Sequence, residues 1–146
     1  MNGLGAELKT EPFVWKLRVY FEDTDAGGVV YHSRYLNFFE RARTEMLRAR
    51  GVSQTGLREQ HRLIWVVVEI NVKFRKAARL DDELLVSAEL LWVKGVKQGF
   101  RQVMTRISDG VVVATAELSA VMLHADSLKP ARMPEWIRAE LLKNAE

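Results

Sequence analysis

The sequence predicts an α+β domain in which an antiparallel sheet of five strands wraps one long helix. Three observations carry this. One stretch of helical periodicity, Ser33 to Arg50, stands among segments that alternate apolar and polar residues. Four of those segments follow the helix at hairpin spacing, which antiparallel pairing accommodates and parallel pairing does not. The helix is also too apolar to stand alone and must bury its stripe against a sheet face.

Residues 13–21 alternate. Phe13, Trp15, Leu17, Val19 and Phe21 are assigned to one face, and Val14, Lys16, Arg18 and Tyr20 to the other, as in a half-buried strand. In the helix Tyr35, Phe38, Phe39, Ala42, Met46 and Leu47 form a broad aromatic stripe, and Arg41 and Glu45 are spaced for an i,i+4 ion pair. Gly51 stands where a left-handed helix cap is common. Residues 64–74 form a second strand, with Ile64, Val66, Val68, Ile70, Val72 and Phe74 on one face. Residues 84–93 and 99–107 form a third and fourth, turning near Val93-Lys94-Gly95. Ser108-Asp109-Gly110 signals a hairpin, because Asp-Gly tolerates the positive φ angles of tight turns.

The fifth strand, Val111 to about Leu123, presents Val112, Ala114, Ala116, Leu118, Ala120 and Met122 on one face. Side chains this small leave room for something bulky, most simply the aromatic helix. Pro134 opens a short C-terminal helix from Glu135 to about Lys143, in the first-turn position that proline favours. Residues 1–12 read as a flexible segment and 13–146 as one domain, with no internal repeat or low-complexity linker.

Composition narrows the function. The 146 residues are 48% hydrophobic and 28% charged, the balance of a globular domain. The absence of cysteine excludes disulfides, thiolate nucleophiles and sulfur-ligated metals. His32, His61 and His124 are the only imidazoles, and no two lie at a metal-ligand spacing, so no metal is expected. His61 falls in a polar stretch and is expected to be solvated. No apolar run approaches the ~20 residues of a membrane span, and Met1 to Pro12 lacks the pattern of a secretory signal, so the expected address is the cytoplasm.

Chemistry concentrates between the first strand and the helix, in Tyr20-Phe21-Glu22-Asp23-Thr24-Asp25-Ala26-Gly27-Gly28-Val29-Val30-Tyr31-His32. Gly27-Gly28 lets backbone approach a ligand, and a helix start offers unpaired N–H groups at a positive dipole end. A carboxylate beside such donors suits acyl transfer: one part attacks or activates water, the other holds the oxyanion.

This run, followed by Tyr35 and Glu40-Arg41-Ala42-Arg43, resembles the hotdog-fold acyl-CoA thioesterases of the 4-hydroxybenzoyl-CoA thioesterase type, and is most similar to their Tol-Pal-associated acyl-CoA thioesterase branch. The likeness extends through Ala78-Arg79-Leu80-Asp81-Asp82 and Asp126-Ser127-Leu128-Lys129-Pro130. It implies the same fold, a curved antiparallel sheet around one helix. It also implies that Asp25 is the catalytic carboxylate and that a backbone N–H near His32 polarises the thioester carbonyl, with the His32 side chain taking part. Asp25 could attack directly to give a mixed anhydride or act as general base on water; Asp23 reads as structural. The resemblance further implies an edge-to-edge dimer, often paired into a tetramer, with active sites at the interface and no cofactor beyond the coenzyme A of the substrate.

An acyl-CoA brings phosphates and an acyl group. Lys73, Arg75, Lys76 and Arg79 are the candidates for the phosphates, since Arg donates two hydrogen bonds from a planar fork. Gly27, Gly28, Tyr31 and Tyr35 are the candidates to shape the acyl pocket, which favours short-chain or small aromatic acyl groups. An acyl carrier protein is an alternative thioester donor. A non-catalytic acyl-CoA- or carrier-protein-binding module of the same fold would be marked by loss of the acidic residue, yet Asp25 is present. A nucleic-acid module would interleave aromatic and basic residues, and none does, at a net charge of only +3.

Overall fold

The computed structural model describes residues 12–142, so most of the expected flexible segment and the end of the C-terminal helix lie outside the described residues. In chain order the elements are β1 (Phe13–Arg18), α1 (His32–Ala49), α2 (Gln54–His61), β2 (Leu63–Phe74), β3 (Glu83–Lys94), β4 (Lys97–Arg106), β5 (Val112–His124), β6 (Pro130–Ala131) and α3 (Glu135–Leu141). The sheet runs β1-β3-β4-β5-β2, every pairing antiparallel, and β6 adds a short strand on β5. The five-stranded path and the long helix match the sequence reading; α2 and β6 are additions. Leu57 is the one buried side chain of α2, so that helix has no periodic stripe to read, and His61 lies on it, its exposed ring 5.1 Å from the Trp136 ring and tilted against it.

α1 carries its predicted stripe inward. Tyr35, Phe38, Phe39 and Ala42 pack with Leu84, Val86, Met104, Ala114 and Ala116. Farther along, Met46 and Leu47 join Leu90, Phe100, Leu118, Ala120 and Met122, with α2 and α3 closing that end. The small residues of β5 therefore do face the aromatic helix. Gly51, at φ +82°, and Val52 donate N–H groups to the carbonyls of Arg48 and Leu47, ending α1 in a Schellman turn. A polar thread crosses the core. Gln102 is fully buried, donates to the Phe39 and Ser87 carbonyls, and accepts from Arg43 at 2.9 Å. Burial holds the Arg43 guanidinium below its usual pKa.

Four local expectations give way. β1 stops at Arg18 because Val19 donates its N–H to Asp82 and the chain turns at Tyr20; Phe21, assigned to the inner face, is 81% exposed. Glu45 pairs with Arg48 at 2.6 Å instead of Arg41, whose guanidinium lies over the Phe38 ring. Pro134 is the N-cap of α3, in extended geometry, and not its first helical residue. A register shift between Val67 and Glu69 breaks the alternation of β2. Trp65 and Val67 face a cavity shared with Leu118 and Ala120, whereas beyond the bulge Val72 and Phe74 take the inner side.

The two sheet edges differ. β1 is six residues long and pairs Lys16 and Arg18 with Glu83, whose carboxyl is held below the usual range by those cations. β2 is twelve residues long and leaves Val66, Val67, Val68 and Ile70 exposed. Charge protects the first edge from pairing, while the second remains an apolar template.

Candidate active site

The acidic stretch folds into a small hairpin that leads into α1. Thr24 bridges Val30, Asp25 donates its N–H to the Val29 carbonyl at 2.9 Å, and Gly28 donates back to the Asp25 carbonyl at 3.1 Å. Gly28 sits at φ +79°, a geometry glycine adopts without strain. The Asp25 side chain closes an Asx turn, one oxygen accepting the Gly27 N–H at 2.8 Å. A Cβ on Gly27 would stand 3.3 Å from that oxygen, so glycine keeps the carboxylate uncrowded. Asp25 is exposed, and among the described residues no ion pair engages it.

Asp23, two positions earlier, has the opposite fate. It is 4% exposed, accepts the Tyr20 N–H at 2.9 Å, and stands 3.7 Å from the Arg34 guanidinium. Its carbonyl also takes the N–H of Tyr31, the residue that caps α1. Asp23 thus ties the turn after β1 to the helix start. Asp25 faces solvent, with no ion pair among the described residues.

α1 begins at His32 behind an N-cap, Tyr31, whose side chain makes no capping hydrogen bond. The first-turn N–H groups and the positive dipole end are therefore not consumed by a side-chain cap. The His32 ring is exposed and lies 4.4 Å from the ring of Tyr31, itself 49% exposed. Tyr35 points the other way, into the core; its hydroxyl accepts the Ala78 N–H at 3.0 Å and its ring meets Phe74 edge-on.

A strap over residues 77–82 ties down the hairpin. Val29 bridges Arg79, Val30 donates to the Ala78 carbonyl at 2.8 Å, and Leu80 donates to Gly28 at 3.3 Å. The far end is fastened by Asp82, which accepts the Arg79 N–H at 2.9 Å and receives Arg106 at 3.3 Å, while Arg106 also donates to the Ala77 carbonyl. Asp109 shares Arg106, whose guanidinium holds the Asp109 carboxyl below the usual range. Sequence reasoning registered the strap only as part of a resemblance. Its contacts link residues far apart in sequence and leave no local signature.

The basic cluster is split by the fold. Lys73 and Arg75 line a groove of about 580 Å³ on the outer face of the sheet, with Trp92, Arg101, Thr115 and Ser119. Lys76 is exposed beyond the strand end. Arg79 belongs to the strap and is the member placed beside the Asp25 hairpin. Among the described residues no helix is long and apolar enough to cross a membrane.

Residues 19–141 match the model of the thioesterase-like superfamily. The chain is 44% identical over 127 residues to an acyl-CoA thioesterase YbgC of Haemophilus influenzae, covering 87% of this chain and 92% of that protein. It is 41% identical over 133 residues to the Escherichia coli acyl-CoA thioester hydrolase YbgC, covering 91% of this chain and 98% of that one. Among solved structures it resembles a probable thioesterase from Bartonella henselae, with a TM-score of 0.79 and 31% identity over 85% of this chain and all of that one. The match over residues 19–141 and the 41–44% identity to acyl-CoA thioester hydrolases over most of both chains place this chain in the thioesterase-like superfamily, as a thioester hydrolase of the hotdog-fold acyl-CoA thioesterase family.

Proposed function

We propose that the chain hydrolyses acyl-CoA thioesters with Asp25 as nucleophile or general base and the His32 backbone N–H as oxyanion donor. The observation that carries this is the hairpin itself. It fixes an unpaired carboxylate next to a helix start with open N–H groups. A thioester carbonyl seated between them meets a donor where negative charge develops, an interaction worth ~2.7–4 kcal/mol in comparable sites. Asp25 then attacks the carbonyl carbon to give an anhydride that water cleaves, or draws a proton from water that attacks it. Either route releases the thiol of coenzyme A and the free acid. The His32 imidazole, exposed at the same helix start, positions water or the acyl group.

The acyl group lies against Tyr31, the Gly27–Gly28 turn and the first turn of α1, where Tyr35 braces the wall from behind. Arg79 takes the coenzyme A phosphates nearest the site, and Lys73, Arg75 and Lys76 take those reached along the sheet. An acyl carrier protein would present its thioester to the same basic groups. The long apolar edge of β2 joins a second copy edge to edge, and dimers pair into tetramers, so each site is completed by its neighbour. Light scattering should show no active 16.7 kDa species at micromolar concentration; such a monomer would overturn the assembly.

A hydrolysis series over C3 to C16 and small aromatic acyl-CoAs, read by released thiol, tests the function. Short acyl groups are expected to give the highest kcat/KM. The preference should be graded, because each fitted methylene contributes roughly 0.8 kcal/mol. A steady rise to the longest chains would refute the small pocket, and no thiol release from any acyl-CoA would refute the activity.

A further inference from the structure

Tyr35 lies one turn beyond Tyr31 on α1, is 4% exposed, and spends its hydroxyl on a single backbone group, the Ala78 N–H. The Ala78 carbonyl in turn accepts the N–H of Val30, and Val30 runs through Tyr31 back into α1. These contacts form a closed ring: α1, the Tyr35 hydroxyl, the strap, the Asp25 hairpin, and α1 again. Ala78 is wholly buried, so water cannot substitute for the hydroxyl without rearrangement. We infer that the Tyr35 hydroxyl is a positioning residue for thioester hydrolysis: it fixes the Asp25 hairpin relative to the first-turn N–H groups of α1. The inference rests on the proposed role of Asp25.

The physical argument is one of distances. Asp25 and the His32 N–H act on the same carbonyl, and a misplacement of about 1 Å between reacting groups can cost ~10²-fold in rate. Tyr35→Phe keeps the ring in the core and removes only the acceptor. The Ala78 N–H loses its partner, the strap relaxes, and the hairpin it holds drifts against the helix. Lys73, Arg75 and Lys76 hold coenzyme A from outside this ring, and the exposed Arg79 side chain reaches it from the solvent side of the strap, so most of the grip on substrate is spared.

The test compares kcat and KM for Tyr35→Phe, Asp25→Asn and the double variant on one acyl-CoA, with circular dichroism and thermal melting of each. Tyr35→Phe should lower kcat about 10–100-fold with KM within about twofold, yet change kcat less than about twofold in the Asp25→Asn background, where no carboxylate remains to be placed. Equal losses in both backgrounds, a loss confined to KM, or an unchanged kcat would each overturn the inference. Should Tyr35→Phe fail to fold at the assay temperature, Arg106→Gln slackens the same strap from its far end. That variant must then show the same dependence on Asp25, and additive losses would overturn the idea. Failure of the Asp25 assignment is read separately, from Asp25→Asn alone.

Discussion

Asp25→Asn is expected to lower kcat at least about 10²-fold while the protein keeps its fold and assembly. The amide is nearly isosteric, and its carbonyl oxygen can still accept the Gly27 N–H, so the Asx turn that shapes the hairpin survives. What disappears is the negative charge and, with it, both candidate chemistries: an amide neither attacks a thioester usefully nor takes a proton from water. Because Asp25 is exposed and outside every ion pair among the described residues, the substitution leaves no buried partner stranded, and melting should move little. His32→Ala should cost less, since the backbone N–H it supplies remains. The kinetics of the purified variants on short acyl-CoAs decide the matter, and near-normal turnover by Asp25→Asn would remove Asp25 from the mechanism.

That prediction draws on a loop that the sequence displays and on a distinction it does not. Asp23 and Asp25 are equivalent as a pattern, two acids before a helix. Only tertiary contacts separate them: Arg34 and the Tyr20 N–H consume one and leave the other unpaired. The stripe of α1 is legible because that helix buries a single face, which imposes its period on the sequence. The small face of β5 is legible from Ala114 to Met122, but at the register shift opposite Met104 and Thr105 the core takes Val113 in place of the expected Val112. β1 reads longer in the sequence than it is, because alternation continues past Arg18, whereas the N–H groups of Val19 and Tyr20 donate to Asp82 and Asp23 and turn the chain there. In β2 an unbroken apolar alternation hides a bulge, since Leu63 to Val68 is apolar on both faces and shows no break before the shift. Lys73, Arg75 and Arg79 looked like one patch on spacing alone. The strand sends the first two to the outer face, and the strap carries the third to the hairpin. Tyr35, expected as a pocket wall, spends its hydroxyl on a residue 43 positions away, a contact no local pattern encodes.

The largest loss of stability is expected from a glycine outside every turn. Gly99 lies in β4 and pairs with Trp92 across the β3–β4 ladder, next to the register shift between Leu90 and Trp92. A Cβ at position 99 would fall 2.2 Å from two atoms of the Trp92 indole and 2.7 Å from a third. No rotation of a flexible tip relieves that overlap, because the nearest atoms belong to a rigid ring. Trp92 is 9% exposed and must leave its place entirely, taking its packing with it. Overpacking of this kind costs ~1–3 kcal/mol, and displacing a buried tryptophan approaches the ~3–5 kcal/mol of its truncation. Gly99→Ala is therefore expected to cost about 2–4 kcal/mol and to lower Tm by roughly 10 °C. The double variant identifies the cause. With Trp92→Leu in place the overlap is gone, and adding Gly99→Ala should cost less than about 1 kcal/mol. Denaturant unfolding of the four proteins gives the coupling directly. A Gly99→Ala protein as stable as the parent, or an equal cost in both backgrounds, would show that the indole does not depend on the bare backbone beneath it.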